Sequence, residues 1–176
     1  MVFNKILVAL DRSSQAPVVF AQALAIAQAH GSKLLLFHCL DWNEEVNPWV
    51  GIGTLADVNM YGTLRQLHQE SLQREIEQVR EWLASYCTQA AAKGVIAEFA
   101  CKIGNPNLRI CEEIKNQNVD LIVLGRRGYK GLSEIFLGSV SNYMVHHAPC
   151  SVLVVQGIVS SESEVINTVT EVNNMV

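Results

Sequence analysis

Residues 121–141 read LIVLGRRGYKGLSEIFLGSVS, a stretch in which an apolar run typical of a buried parallel strand ends in glycine. Two residues separate Gly125 from Gly128, nine more separate Gly128 from Gly138, and Ser139 follows directly. Glycines let the main chain approach an anion because no Cβ intervenes, and backbone N–H groups can then surround it. A short helix predicted after the last glycine adds free N–H groups and the positive end of its dipole. The stretch therefore predicts a strand, a phosphate-binding loop and a helix.

The alternation of strand and helix extends over the chain on the N-terminal side of this stretch and ends with one more strand beyond it. Continuous apolar runs predict strands, and apolar positions that recur every three or four residues predict helices. The strands are predicted at 5–10, 33–40, 95–101, 120–124 and Ser151–Val155, and the helices at 13–30 with a serine cap, 64–93, 105–116 and 140–147. Right-handed crossovers then give an α/β fold, a single open doubly wound sheet of five parallel strands in the order 3-2-1-4-5, with helices on both faces.

The order of the strands predicts where a ligand binds. In a doubly wound sheet the ligand lies beyond the carboxyl ends of the strands, at the point where the winding direction reverses. That point is between the first and fourth predicted strands, which are followed by Asp11 and closed by Gly125. Asp11 can cap the first helix, or it can accept hydrogen bonds from ribose hydroxyls or approach a phosphate-bound cation. We therefore expect the candidate site at this crevice.

Composition limits the classes of protein to consider. The 176 residues suit one domain, 49% of them are hydrophobic and 17% are charged, and the net charge is −4. A negative net charge argues against non-specific nucleic-acid binding. No apolar run approaches the roughly 20 residues that span a bilayer, and the first residues do not resemble a signal peptide. Five scattered cysteines without a C-x-x-C pair predict buried free thiols in a reducing cytoplasm, with no metal site.

Two segments fall outside the alternating pattern. The connection at 41–62 is long for a compact domain, and such connections are usually functional or mobile. The segment 157–176 is rich in Ser, Thr, Asn and Glu, which predicts an exposed polar tail. The folded domain is therefore expected to cover 1–156.

The glycine spacing and the two outer strands together resemble the universal stress protein family. Its nucleotide-binding members carry G-x2-G-x9-G-[ST], which the glycines described above match, with Ser139 at the last position. KILVALDRS at 5–13 is similar to the family's first strand and Asp-containing loop, and APCSVLVV at 148–155 is similar to its last turn and strand. The resemblance covers about 2–156 and implies an adenine-nucleotide-binding α/β domain that forms a homodimer through its fifth strands.

The resemblance also implies roles for individual residues. Around adenine and ribose it places Ala9, Leu10, Asp11 and the main chain of Cys39; along ribose and phosphates it places Leu124, Gly125, Arg127 and Gly128; around the phosphates it places Gly138, Ser139, Val140 and Ser141. Two positions depart from the family's pattern. Leu10 stands where a small or hydroxylated residue is frequent, and Arg126 stands where Ser or Thr is usual.

The leading functional hypothesis is a cytoplasmic, ATP-binding stress-response protein whose output is conformational or directed to a partner. Mg²⁺ would enter bound to the ATP phosphates. The crevice offers no general base beyond Asp11, so we do not expect an enzyme, although slow ATP hydrolysis stays open. Two alternatives remain: an ATP-using enzyme such as a transferase, and a ligand-independent dimeric interaction module. The dimer is expected through the apolar edge strand Ser151–Val155, because soluble proteins seldom leave such an edge bare.

Overall fold

The computed structural model describes residues 3–40, 55–126 and 137–156, with side chains of the second range described from residue 64 onward. Strands and helices alternate through these ranges, as the sequence predicts. The strands are β1 (Lys5–Ala9), β2 (Lys33–Leu40), β3 (Ala97–Ile103), β4 (Leu121–Gly125) and β5 (Ser151–Val155), and the helices are α1 (Ala16–His30), α2 (Leu55–Ala92), α3 (Pro106–Asn116) and α4 (Ser139–His147).

The strands form one parallel sheet in the order β3-β2-β1-β4-β5, which confirms the predicted topology. β1 lies at the centre, with Leu7 opposite Leu35 of β2 and opposite Ile122 of β4. These central strands are almost completely buried, which explains why their sequences are continuous apolar runs rather than alternating ones.

Helices cover both faces of the sheet. On one face, α1 and α2 pack with strand residues such as Ile6 and Leu36 into one apolar core. On the other face, α3 and α4 pack with residues such as Leu7 and Phe37 into a second core. The chain leaves β1 toward the face covered by α1 and leaves β4 toward the opposite face, covered by α4. A crevice therefore opens between the carboxyl ends of β1 and β4.

The helix α2 begins earlier than the sequence predicts. The helix starts at Leu55, so the last eight residues of the predicted connection 41–62 are helical. Residues 41–54 lie outside the described residues. The prediction began the helix at 64, beyond Gly62, and glycine in a helix interior costs up to about 1 kcal/mol relative to alanine. In a helix of 38 residues one glycine is a small part of the total, since each of the other residues adds its own hydrogen bond to the helix.

The strand β3 begins two residues later than predicted, at Ala97. The reason lies at the end of α2, where the Val95 N–H donates to the Ala90 carbonyl and the Gly94 N–H donates to the Ala91 carbonyl. Gly94 has a φ of 74°, the left-handed conformation that glycine adopts readily at a helix end. Val95 therefore belongs to the helix terminus rather than to the strand.

The five cysteines are free, and each is half-buried rather than fully buried as predicted. Burial raises the pKa of the Cys87, Cys101 and Cys111 thiols, and it raises the pKa of Cys150 to about 11. Burial therefore disfavours the thiolate, which is the reactive form of cysteine. Among the described residues, no helix is long and apolar enough to cross a membrane.

Candidate functional site

A cavity of about 190 Å³ opens at the carboxyl edge of the sheet, where the crevice between β1 and β4 lies. This volume is many times the ~10–15 Å³ that one water molecule requires, so the cavity can hold part of an organic ligand. Its lining comes from every layer of the fold: Ala9, Leu10, Asp11, Gln15, Ala16, Val19, Phe37, His38, Cys39, Pro106, Ile110, Leu124, Gly125, Gly138, Ser139, Val140 and Ser141.

The turn after β1 presents a carboxylate to the cavity. Asp11 Oδ1 accepts hydrogen bonds from the Ser13 N–H at 3.2 Å and from Ser13 Oγ at 2.5 Å, so this oxygen stabilises the turn. Asp11 Oδ2 has no hydrogen-bond partner among the described residues and is available to a ligand. The Leu10 side chain packs into the α1–α2 core, so this departure from the family pattern is absorbed by the hydrophobic core.

Main-chain hydrogen bonds hold Arg126, just after β4, and Gly138, just before α4. The Arg126 N–H donates to the Val155 carbonyl, and the Arg126 carbonyl accepts from the Gly138 N–H, both at 2.8 Å. Ser141 Oγ, in a side chain only 3% exposed, donates to the Gly125 carbonyl at 2.6 Å. The Gly138 N–H and the Ser141 hydroxyl hydrogen are therefore engaged within the protein. The groups of α4 that can bind an anion are therefore the N–H groups of its first turn.

The N-termini of α1 and α4 differ in the hydrogen bonds that they can offer. In α1, the Ala16 N–H donates to the Ser13 carbonyl, Pro17 has no N–H, and the Val18 and Val19 N–H groups donate to the Gln15 carbonyl. In α4 the cap is Gly138, which brings no capping side chain. The first N–H groups of a helix lack partners inside the helix. Of these two helix N-termini, that of α4 therefore offers more unpaired N–H groups to a negative charge.

On the side of the cavity formed by β2 and α3, a side-chain contact joins the end of β2 to the turn after β3. Cys39 Sγ donates to the Gly104 carbonyl at 3.1 Å, and the Gly104 N–H donates to the Leu40 carbonyl at 3.0 Å. The thiol is thus directed to the turn after β3. The following helix α3 begins with Asn105 as its cap, as predicted, and its Pro106 and Ile110 reach the cavity.

His38 connects the cavity with the α2 side of the sheet. Its side chain is 9% exposed, its Nδ1 lies 2.8 Å from the Leu10 carbonyl, and its ring meets that of Trp82 edge-on with centroids 5.7 Å apart. Burial lowers the pKa of His38 below its ordinary value of 6.5, with a further lowering from Arg12. The Leu10 hydrogen bond and the charges of Asp11 and Glu75 oppose this shift. The net lowering favours a neutral imidazole that donates from Nδ1 to Leu10.

We expect acid to destabilise the protein through His38. Because the pKa is lower in the folded state, the unfolded chain takes up this proton first. The stability contributed by neutral His38 is complete above about pH 6.5 and is lost as the pH falls toward the folded pKa. The urea midpoint should therefore fall between about pH 7.5 and about pH 5.5, and should fall less in His38→Asn, which has no titrating ring.

The exposed His146→Asn variant on α4 is the matched control and should keep the wild-type pH dependence. Equal pH dependence in wild type and His38→Asn would contradict this assignment.

Ten of the twelve site residues implied by the resemblance line the cavity, and the other two, Arg127 and Gly128, lie outside the described residues. Sequence reasoning missed seven lining residues: Gln15, Ala16, Val19, Phe37, His38, Pro106 and Ile110. The position of α3 was one available signal, since a helix that follows a parallel strand begins at the carboxyl edge of the sheet. Among the described residues, no cluster of His, Cys, Asp or Glu side chains could hold a metal ion.

Comparison with known proteins places this geometry in a family. The model of the universal stress protein family matches residues 3–156. The chain belongs to the universal stress protein family. Universal stress protein Sll1388 from Synechocystis is 41% identical over 164 residues, a match that covers 89% of this chain and 99% of the relative.

Solved universal stress proteins share the fold. The structure of UspA from Lactobacillus plantarum superposes with a TM-score of 0.70 at 27% identity, over 88% of this chain and 99% of the other. A universal stress protein family protein from Arabidopsis thaliana, solved with AMP bound, has a TM-score of 0.53 at 22% identity, over 91% and 98% of the two chains.

Proposed function

We propose that this universal stress protein binds an adenine nucleotide, ATP, in the cavity and acts as a conformational or partner-directed regulator. The observation that carries the proposal is the α4 N-terminus, which has no capping side chain and opens onto a cavity at the point where the sheet reverses its winding. The AMP bound to the Arabidopsis family member supports the choice of an adenine nucleotide.

In this proposal the two ends of the nucleotide meet different chemistry. The phosphates lie against the N–H groups of Ser139, Val140 and Ser141, with Arg127 and Gly128 of the glycine loop beside them. The ribose hydroxyls donate to Asp11, whose Oδ2 is available for this purpose. Gly138 stands beside the phosphates as well, and the remaining site residues surround adenine and the ribose–phosphate junction in the same proposal: Ala9, Leu10, Cys39, Leu124 and Gly125.

The proposed output is regulatory rather than catalytic. Among the described residues that line the cavity, Asp11 is the acidic side chain, and His38 is held by its hydrogen bond to Leu10. A phosphoryl-transfer site needs a group that positions the nucleophile, together with protein ligands for magnesium. In this proposal Mg²⁺ is therefore carried by the ATP phosphates, and the five free thiols support a place in the cytoplasm.

The proposal predicts that adenine nucleotide copurifies with the protein. Small molecules released from the purified protein by denaturation and identified by mass spectrometry should include ATP or AMP. Calorimetric titration of nucleotide-free protein should show saturable binding of ATP. Absence of binding at millimolar ATP would contradict the proposal and favour a ligand-independent interaction module, while rapid turnover of ATP would favour an enzyme.

We also propose a homodimer formed through β5. This strand is at the edge of the sheet, and its residues Val152, Leu153 and Val154 are only partly buried. Among the described residues, no strand pairs with its outer side. A second copy related by a two-fold axis would satisfy the open N–H and C=O groups and cover the apolar side chains.

A further inference from the structure

Ser13, in the turn between β1 and α1, makes every hydrogen bond that the Asp11 carboxylate receives from the described residues. Its hydroxyl donates to Asp11 Oδ1 at 2.5 Å, and its N–H donates to the same oxygen at 3.2 Å. A hydroxyl that donates to a carboxylate over this distance makes a strong hydrogen bond, whereas the N–H bond is long. The Ser13 hydroxyl is therefore the main contact that orients this carboxylate.

Capping of α1 does not account for the Ser13 hydroxyl. The sequence predicts a serine cap for the first helix, but the N-cap position is Gln15, whose side chain makes no capping hydrogen bond. The main-chain carbonyl of Ser13 supports the start of the helix, since it accepts from the Ala16 N–H at 3.2 Å. Ser13 Oγ accepts only a long hydrogen bond from the Gln15 N–H, at 3.3 Å. Because a carboxylate can only accept, the hydroxyl hydrogen is directed to Asp11.

The two oxygens of the Asp11 carboxylate therefore have different tasks. Asp11 lines the cavity and Ser13 is not among the lining residues, so Oδ1 binds the protein and Oδ2 stays available to a ligand. The torsion that rotates the carboxylate of an aspartate has broad minima, so the side chain alone does not fix where its oxygens lie. A carboxylate is planar, and a hydrogen bond that holds one oxygen also restricts the position of the other.

We propose that Ser13 is a positioning residue for nucleotide binding, whose hydroxyl holds the Asp11 carboxylate so that Oδ2 accepts from a ribose hydroxyl. This inference rests on the proposed function, because it needs the ribose of the nucleotide beside Asp11. Ser13 contacts no part of the nucleotide in this arrangement and acts through Asp11 alone. The protein therefore prefers nucleotides that carry ribose hydroxyls, and the preference depends on Ser13.

Affinities for ATP and for 2′,3′-dideoxy-ATP, measured by calorimetry in wild type and in Ser13→Ala, test the inference. The dideoxy nucleotide keeps adenine and the three phosphates but lacks both hydroxyls that can donate to Asp11. We expect wild type to bind ATP at least about 10-fold more tightly than 2′,3′-dideoxy-ATP, since one hydrogen bond to a charged group corresponds to that difference. Ser13→Ala should reduce the preference to about threefold or less by weakening ATP binding alone.

Three further variants make the test specific to the Ser13 hydroxyl. Ser14→Ala removes the hydroxyl of the exposed serine that follows in the chain, and it should keep the wild-type preference. Ser13→Thr retains a hydroxyl on the same carbon and should keep most of the preference. Should Ser13→Ala fail to fold, Ser13→Cys provides the same measurement, because a thiol is a weak donor.

Other results would overturn the inference, each for a different reason. Equal weakening of both nucleotides in Ser13→Ala would mean that the hydroxyl supports the turn as a whole rather than Asp11. A preference retained in full by Ser13→Ala would show that Asp11 does not need the hydroxyl, with the proposed function intact. A wild type that binds both nucleotides equally would remove the ribose from Asp11. Failure of wild type to bind ATP would overturn the proposed function itself, and this inference with it.

Discussion

Replacing Gly138 with valine is expected to lower the affinity for ATP by more than about 100-fold while the protein remains folded. The backbone at Gly138 has φ −60° and ψ 157°, an extended conformation that valine adopts readily. Its N–H donates to the Arg126 carbonyl at 2.8 Å, and a valine keeps that hydrogen bond. The substitution therefore adds a side chain without removing a main-chain contact.

The added side chain acts on the ligand. Valine methyl groups at the start of α4 would stand between the first-turn N–H groups and the phosphate proposed to bind them. Hydrogen bonds to a charged group contribute about 1.5–3 kcal/mol each, so the loss of two corresponds to at least about 3 kcal/mol, or more than about 100-fold. Calorimetric titration of the nucleotide-free variant with ATP measures the loss.

The neighbouring Leu137→Val variant provides the control. Leu137 is exposed and directly precedes Gly138, so the same valine one position earlier should leave ATP affinity within about twofold of wild type. A folded Gly138→Val variant with wild-type affinity would show that the N-terminus of α4 does not hold the phosphates.

Replacing Val154 with proline is expected to convert the proposed dimer into a folded monomer. The Ser151 N–H donates to the Asp120 carbonyl, and the Val155 carbonyl accepts from the Arg126 N–H. In a parallel strand, the backbone N–H and C=O groups of alternate residues point to the same neighbouring strand. The backbone groups of residues 151, 153 and 155 therefore bond to β4, and those of Val152 and Val154 point to the open edge.

Proline at Val154 removes an N–H group that only a second copy would use. The ladder between β4 and β5 keeps its donors, and proline is tolerated on an edge strand where the N–H faces outward. Light scattering at micromolar protein concentration should report a dimeric mass for wild type and a monomeric mass for the variant, with circular dichroism unchanged.

Two further variants make this test specific. Val154→Ala shortens the side chain but keeps the edge donor, so it should remain dimeric. Leu153→Pro removes a donor to β4 and should unfold the edge of the sheet. A dimeric Val154→Pro variant would place the interface elsewhere. A monomeric wild type would contradict the proposed dimer through β5.

Much of the fold could be predicted because its signals are local in the sequence. A buried parallel strand such as β1 reads as an uninterrupted apolar run, and a helix such as α3 begins with an Asn-Pro pair that caps it. Crossover handedness then fixes the strand order. Boundaries were less predictable where local signals conflict, as at Gly62, which lies within α2, and at Val95, whose N–H belongs to the end of that helix.

Some residues of the candidate site could be predicted from the sequence and others could not. Asp11, Gly125 and Gly138 could be named from the sequence, since each directly follows or precedes a predicted element at the switch point. The sequence does not place Gln15 and His38 in the cavity lining, because their position there depends on how the helices pack on the sheet. A histidine ring hydrogen-bonded to the Leu10 carbonyl is a property of packing, with no signature in the neighbouring residues of the sequence.

By itself, the sequence determined the class of fold, the order of the strands and the glycine spacing at the start of α4, because hydrophobic periodicity and backbone freedom act over a few residues. Only the tertiary structure decided which amides stay free and which carbonyls His38 and Ser141 engage. His38 and Leu10 are 28 residues apart in the chain and Ser141 and Gly125 are 16 apart, and each pair meets only when the chain has packed.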